Sequence, residues 1–258
     1  MSSLYDEGVK NIKENDRELQ KRLLTTLSKY RFMNVDYMLD KGCFFVPNPD
    51  YLKEMFGIGC VSPANDFYDY DGNCKFLGTL MMPIRNVNDS IVGFTSFNPI
   101  AKIQEQEYYS GESNERPGVK YKVSSSKVFD RNRFPLIPNG YDKMLRDGYV
   151  IITDGNFDAY TLASYGLNTF CNMGSSFGQY TAFILSFVKK RFVARDNDRA
   201  GLVLFNAINS KLPGTKSLLQ NKYKDIDEYF SHLDNSEETI KFIKSRIDNK
   251  VIADIMLK

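Results

Sequence analysis

Two apolar runs that each stop at a cluster of acids, followed by a third acidic cluster, restrict this chain more than any other feature. Tyr149-Val150-Ile151-Ile152-Thr153 ends at Asp154-Gly155, and a helix-like segment over 156–165 carries Asp158 one turn in. A second β-prone run ends at Phe192-Val193-Ala194-Arg195 and delivers Asp196-Asn197-Asp198-Arg199-Ala200-Gly201. The third cluster, Lys224-Asp225-Ile226-Asp227-Glu228, lies where a strand pattern gives way to a helical one. Short apolar runs alternating with helical patterns predict βαβ units and a parallel sheet. Ligands of such sheets bind at the carboxyl ends of the strands, where the first two clusters fall.

Carboxylates gathered in this way repel one another unless a cation neutralises them. Oxygen ligands without histidine or thiolate suit Mg²⁺ or Mn²⁺, which commonly bridge protein carboxylates to phosphate oxygens. An acid after a strand also serves as a helix cap, and for Asp154 alone that explanation suffices. The ordered set points to metal. The four cysteines, Cys43, Cys60, Cys74 and Cys171, form no Cys-x-x-Cys pair, and none adjoins the single histidine, His232. The sequence therefore predicts no zinc in this chain, no histidine-based acid–base chemistry and a reducing compartment.

Charge is unevenly spread. Between Arg116 and Arg146 stand eight basic residues against two acids, a local +6 in a chain of net charge +2. A basic stripe in a chain that also carries an acidic metal site suggests a polyanion track, although lysine-rich loops also serve simply as solvated surface. No run is long enough to span a membrane, and the first residues lack the basic start and apolar stretch of a signal peptide. A cytoplasmic protein is expected, in the host cytoplasm if phage-encoded.

Along the first half, the apolar spacing predicts a helix from Ser3 to Tyr30, with a polar stretch over 11–22. Short helices are predicted over 35–41, stopped by Gly42, and over 49–55. Residues 66–72 read as a strand leading into an Asp71-Gly72 turn. Residues 76–83 and 90–97 read as β-prone runs joined by a turn at 86–89, an antiparallel hairpin. Residues 111–117 read as a loop, 139–147 as a short helix ending at Gly148, and 235–257 as helical.

The pattern Asp154-Gly155 with Asp158-Ala159, then Asp196, Asp198 and Ala200-Gly201, then Lys224-Asp225 with Asp227-Glu228 resembles the Toprim domain. That domain is shared by bacterial DnaG-type primases, type IA and II topoisomerases, OLD-family nucleases and small RNA-maturing nucleases. The segment Asn172-Met173-Gly174-Ser175-Ser176 resembles the primase version most. The resemblance extends upstream through Tyr37 to Gly42, Phe56 to Gly59, Met82-Pro83-Ile84-Arg85-Asn86, Ile91-Val92-Gly93-Phe94, and Lys120-Tyr121 with Ser124 and Phe129. It covers the family's RNA-polymerase domain from Tyr37 to Tyr229. Two departures stand out: the family has Glu where this chain has Asp154, and a basic residue shortly after the position of Phe94. The cysteine pattern and the roughly thirty residues after Tyr229 lead to the expectation of neither the family's N-terminal zinc ribbon nor its C-terminal helicase-binding domain in this sequence.

The fold class so implied is α/β: a mixed α+β N-terminal primase subdomain, then a Toprim domain with a mainly parallel sheet flanked by helices. The expected divisions are a helical segment over 1–35, a basic subdomain over 36–148, the Toprim domain over 149–232 and a helical tail over 233–258. The resemblance implies synthesis of short RNA primers on a single-stranded DNA template from ribonucleoside triphosphates. Asp154, Asp196 and Asp198 would be catalytic. With Asp225 and Asp227 they would hold two Mg²⁺ or Mn²⁺ ions. Arg85, Lys120, Tyr121, Lys122 and Lys127 would contact nucleic acid or nucleotide. A replicative helicase and a separate zinc-binding protein are the further partners that it suggests. A Toprim nuclease, and a non-catalytic primase-like protein that binds template or replication partners, are the competing readings.

Overall fold

The computed structural model describes residues 4–28, 33–56, 67–69, 71–124, 136–173, 177–218, 225, 226, 241 and 244. The chain divides into two compact units, Met1–Phe134 and Pro135–Lys258.

The first unit packs helices on an antiparallel sheet. Its strands are β1 (Phe44–Phe45), β2 (Leu80–Arg85), β3 (Ile91–Phe97) and β4 (Tyr121–Ser124), in the order β1-β2-β3-β4. Its helices are α1 (Leu4–Asn15), α2 (Arg17–Leu27), α3 (Val35–Asp40), α4 (Tyr51–Phe56) and α5 (Pro99–Ser110). The predicted hairpin is β2–β3, paired antiparallel from Leu80↔Phe97 to Arg85↔Ile91. Its core is aromatic: Phe56 stacks on Phe67 at 5.1 Å, and Tyr5 meets both edge-on. Such contacts favour one ring arrangement beyond the apolar area they bury.

The single helix predicted from Ser3 to Tyr30 is two helices broken at Asp16, whose backbone leaves the helical region at φ −115°. The Asp16 carboxylate accepts from the Tyr51 hydroxyl at 3.3 Å. Beyond the break Gln20 is fully buried. Its Nε2 donates to the Phe45 carbonyl at 3.0 Å, and the Phe45 N–H donates back to Oε1 at 2.7 Å. A side-chain amide thus satisfies backbone groups of β1 that would otherwise be unpaired in a buried place. Hydrophobic spacing reads Gln20 as surface, because it does not register a polar group with every bond made.

Helix α5 has no counterpart among the sequence expectations. Its signals are local and polar rather than periodic. Asn98 Oδ1 accepts from Ile100 N at 3.0 Å and Ala101 N at 3.2 Å, Pro99 occupies the first turn, and Gly111 closes the end at φ 81°. These are the expected start and stop residues of a helix.

The second unit holds α6 (Tyr141–Asp147), β5 (Tyr149–Thr153), α7 (Asn156–Ser164), β6 (Thr169–Cys171), α8 (Gln179–Ser186), β7 (Lys190–Val193), α9 (Arg199–Lys211) and β8 (Lys216–Ser217). All its strand pairs are parallel, in the order β6-β5-β7-β8. Val150, Ile151 and Ile152 are wholly buried, as expected of a central parallel strand covered on both faces. Each such side chain contributes about 1.5–3 kcal/mol. From β5 the chain passes through α7 to β6 on one side. From β7 it passes through α9 to β8 on the other side. Right-handed crossovers then put α7 on one face of the sheet and α9 on the opposite face. The ends of β5 and β7 therefore flank a topological switch point, the place where ligands of such sheets bind.

The predicted helix over 235–257 lies outside the described residues except at Lys241 and Lys244, as do Lys127, Asp227 and 174–176. Among the described residues no helix is long and apolar enough to cross a membrane.

Candidate metal centre

Asp154 directly follows β5 and Asp196 follows β7 by a few residues, so the strand order alone brings them to the same switch point. Asp158 joins them from the first turn of α7. One carboxylate oxygen from each of Asp154, Asp158 and Asp196 lies within 4.8 Å of the other two. Two glycines make room. A Cβ on Gly155 would stand 2.3 Å from Asp158 Oδ2, and one on Gly201 would stand 2.1 Å from the Asp196 carbonyl oxygen. Neither approach is possible for a residue with a side chain unless something moves.

The cluster is electrostatically costly as it stands. Asp154 is pushed above the usual carboxylate range, chiefly by burial. Asp196 is pushed up to about 7, first by burial and then by repulsion from Asp154, Asp225 and Asp198. Asp154 Oδ1 is buried and has no hydrogen-bond partner. A buried carboxylate oxygen left without a donor costs free energy that a coordinated cation recovers. The residues fit a hard divalent ion: all the ligand atoms are oxygens, as Mg²⁺ and Mn²⁺ prefer.

The other expected ligands are distributed as follows. Asp198 caps α9, accepting from Gly201 N at 2.8 Å. It is near enough to raise both Asp154 and Asp196. Asp225 is also near enough to raise Asp196, so one acid of the third cluster lies close to the same place. Asp158 is absent from the ligand set read from sequence. Its signal was present, an acid one helical turn beyond Asp154 after a glycine, but a helix-start acid has the same appearance.

Of the expected nucleic-acid residues, the described ones, Arg85, Lys120, Tyr121 and Lys122, lie in the first unit. Arg85 donates to the Asp89 carbonyl at 2.7 Å and the Lys41 carbonyl at 3.3 Å, and pairs with Asp6 and Asp89 at 4.0 and 3.8 Å. Lys120 pairs with Glu105 at 2.9 Å and sits 5.6 Å from the centre of the Tyr121 ring. Lys122 is exposed, its Nζ donating to the Lys75 carbonyl at 3.3 Å.

Metal-free stability should follow the protonation of this cluster. A carboxyl whose folded pKa is raised holds its proton more tightly when folded. Its contribution is fully present below about pH 4, the unfolded value, and is lost as pH rises through about 7. Thermal unfolding without divalent ions is expected to show declining stability over that window, with Mn²⁺ restoring it at pH 8. Asp196→Asn should flatten the decline, by about 1 kcal/mol once solvent screening is allowed for. Parallel pH profiles for wild type and variant would refute the assignment.

No protein-family profile and no curated protein sequence matches the chain. Solved structures do. The chain is similar to the Aquifex aeolicus primase zinc-binding and RNA-polymerase domains, with a TM-score of 0.65 and 20% identity over 93% of this chain. It spans 61% of that Aquifex chain. It is also similar to the RNA-polymerase domain of Mycobacterium tuberculosis primase DnaG in complex with double-stranded DNA bearing a 6-nucleotide overhang. There the TM-score is 0.68 at 13% identity, covering 93% of this chain and 79% of the other. A DnaG primase catalytic domain bound to single-stranded DNA matches with a TM-score of 0.62 at 17% identity, covering 93% and 82%. The fold is thus that of the DnaG-type primase RNA-polymerase domain, with a parallel, Toprim-like sheet flanked by helices.

Proposed function

We propose that this chain is a DnaG-type primase core that joins ribonucleotides on single-stranded DNA. The observation that carries the proposal is the convergence of Asp154, Asp158 and Asp196 at the switch point of the sheet, in a chain with the primase fold. Asp154, Asp196, Asp198, Asp225 and Asp227 would together hold two Mg²⁺ or Mn²⁺ ions. Bound there, the ions would neutralise triphosphate charge and stabilise the in-line displacement that releases pyrophosphate. Asp198 also holds the start of α9, which fixes the turn that presents Asp196.

The test is primer synthesis on single-stranded DNA with labelled ribonucleotides, in Mg²⁺ and in Mn²⁺, with and without a zinc-binding partner protein. Labelled primers are expected. Cleavage of the template without synthesis would transfer the site to the nuclease reading. Binding with neither reaction would transfer it to the non-catalytic one, which the shorter Asp154 favours.

The basic residues are proposed to track the template backbone. Removing a cation that neutralises one phosphate should lower the log–log salt dependence of single-strand binding by roughly 0.7. Glu105 already holds Lys120, so Lys122→Ala should account for more of the change than Lys120→Ala. An unaltered slope in the double variant would mean that these lysines only solvate their surface.

A further inference from the structure

Cys171 ends β6 and is wholly buried. Its backbone is fixed on both sides. Cys171 N donates to the Leu136 carbonyl at 2.9 Å and Leu136 N returns a bond at 3.3 Å, while β5 pairs with it through Thr153. From this anchored position the thiol reaches across to the turn that carries Asp154. Sγ lies 3.3 Å from the Asp154 carbonyl oxygen and 3.2 Å from Asn156 Oδ1, so its one proton is shared between two acceptors on the β5–α7 turn. Sγ in turn accepts from Met173 N–H at 3.3 Å. Met173 is held at φ 52°, a left-handed backbone uncommon for a residue with a side chain. The thiol therefore ties together two chain turns beyond the carboxyl ends of β5 and β6. On one of them stands the carboxylate with the unpartnered buried oxygen.

We infer that Cys171 is a positioning residue for the divalent-cation site. Its thiol locks the backbone of Asp154 to the end of β6, so that the carboxylate meets Asp158 and Asp196 without searching for its place. This rests on the cation site proposed above and not on the primase reaction. A thiol is a weak donor and acceptor, but Cys171 and its acceptor Asn156 are both buried here, and outer partners of metal ligands typically change affinity by about 10–100-fold when removed.

The test is Mn²⁺ binding to the metal-free full chain, followed by electron paramagnetic resonance, with thermal unfolding of each protein as the control. Cys171→Ala and Cys171→Val remove the hydrogen bonds, the first by leaving a small void and the second with one heavy atom more than the thiol, so a loss common to both does not come from volume. Cys171→Ser keeps them. Mn²⁺ affinity is expected to fall about 10-fold in the Ala and Val variants and to stay within about threefold of wild type in Ser. Should Ala fail to fold, the comparison of Val with Ser decides. Wild-type affinity in Val or Ala would overturn the inference while leaving the cation site standing. An equal loss in Ser, Ala and Val would overturn it too, because hydrogen bonding would not be the cause. A wild-type chain that binds no Mn²⁺ would remove the cation site and this inference together.

Discussion

Asp196→Asn is expected to abolish nucleotide joining while the chain stays folded. The amide is nearly the same size as the carboxylate, so packing around β7 is preserved and the loss falls on cation binding. Charge stabilisation by such ions is commonly worth several kcal/mol, and each ~1.4 kcal/mol is tenfold in rate. The expected loss is therefore about 10³-fold or more. The substitution also removes a carboxyl whose charged form is disfavoured by burial and by three neighbouring acids, so the metal-free Tm at neutral pH should hold or rise. Single-strand binding should persist, since acids without metal repel DNA. A folded Asp196→Asn protein with primer synthesis near wild type would end the metal assignment. Asp154→Glu tests the family departure beside it: the longer side chain should raise activity if Asp154 is a working ligand, and leave it unchanged if it is not.

Gly201→Ala should cost nearly as much, by a different route. The new methyl carbon would lie 2.1 Å from the Asp196 carbonyl oxygen and 2.9 Å from Asp196 backbone C and N. These are backbone atoms and cannot rotate aside. Either α9 or the Asp196 turn must shift, and the Gly201 N–H that binds Asp198 moves with it. Forcing an extra methyl into a packed place costs about 1–3 kcal/mol of stability. A displacement of about 1 Å at a reacting centre can cost about 10²-fold in rate. A lowered Tm together with lost synthesis and weakened Mn²⁺ binding is expected. Gly155→Ala is the companion test, because the atom it meets is a side-chain oxygen, Asp158 Oδ2, and not backbone, so any loss of Mn²⁺ binding there would come through Asp158. If Gly201→Ala binds Mn²⁺ as wild type does, the close approach of α9 is not what places Asp196.

The individual strands β5 and β7, the β2–β3 hairpin and the acids that follow β5 and β7 were legible because each depends on neighbours within a few residues. An apolar run of strand length, stopped by acid and glycine, carries its own signal wherever it occurs. The start and end of α5 were written equally locally, in Asn98, Pro99 and Gly111, but its face is too mixed for hydrophobic period to reveal. The resemblance brought Asp225 to the same site through the order of three motifs, although no local rule placed it there.

What no stretch of sequence could decide is which groups meet across the fold. The strand order β6-β5-β7-β8 makes neighbours of Asp154 and Asp196. The missing side chain of Gly155 lets Asp158 complete the cluster. The same folding gives Lys120 a carboxylate from α5 and fixes Arg85 among Asp6, Asp89 and two carbonyls, so that two cations readable as free for phosphate already have anions or carbonyls of their own. Local pattern therefore identified residues capable of the chemistry. Long-range pairing, set by chain crossings and by the cost of leaving buried charge unmet, selected those that stand together.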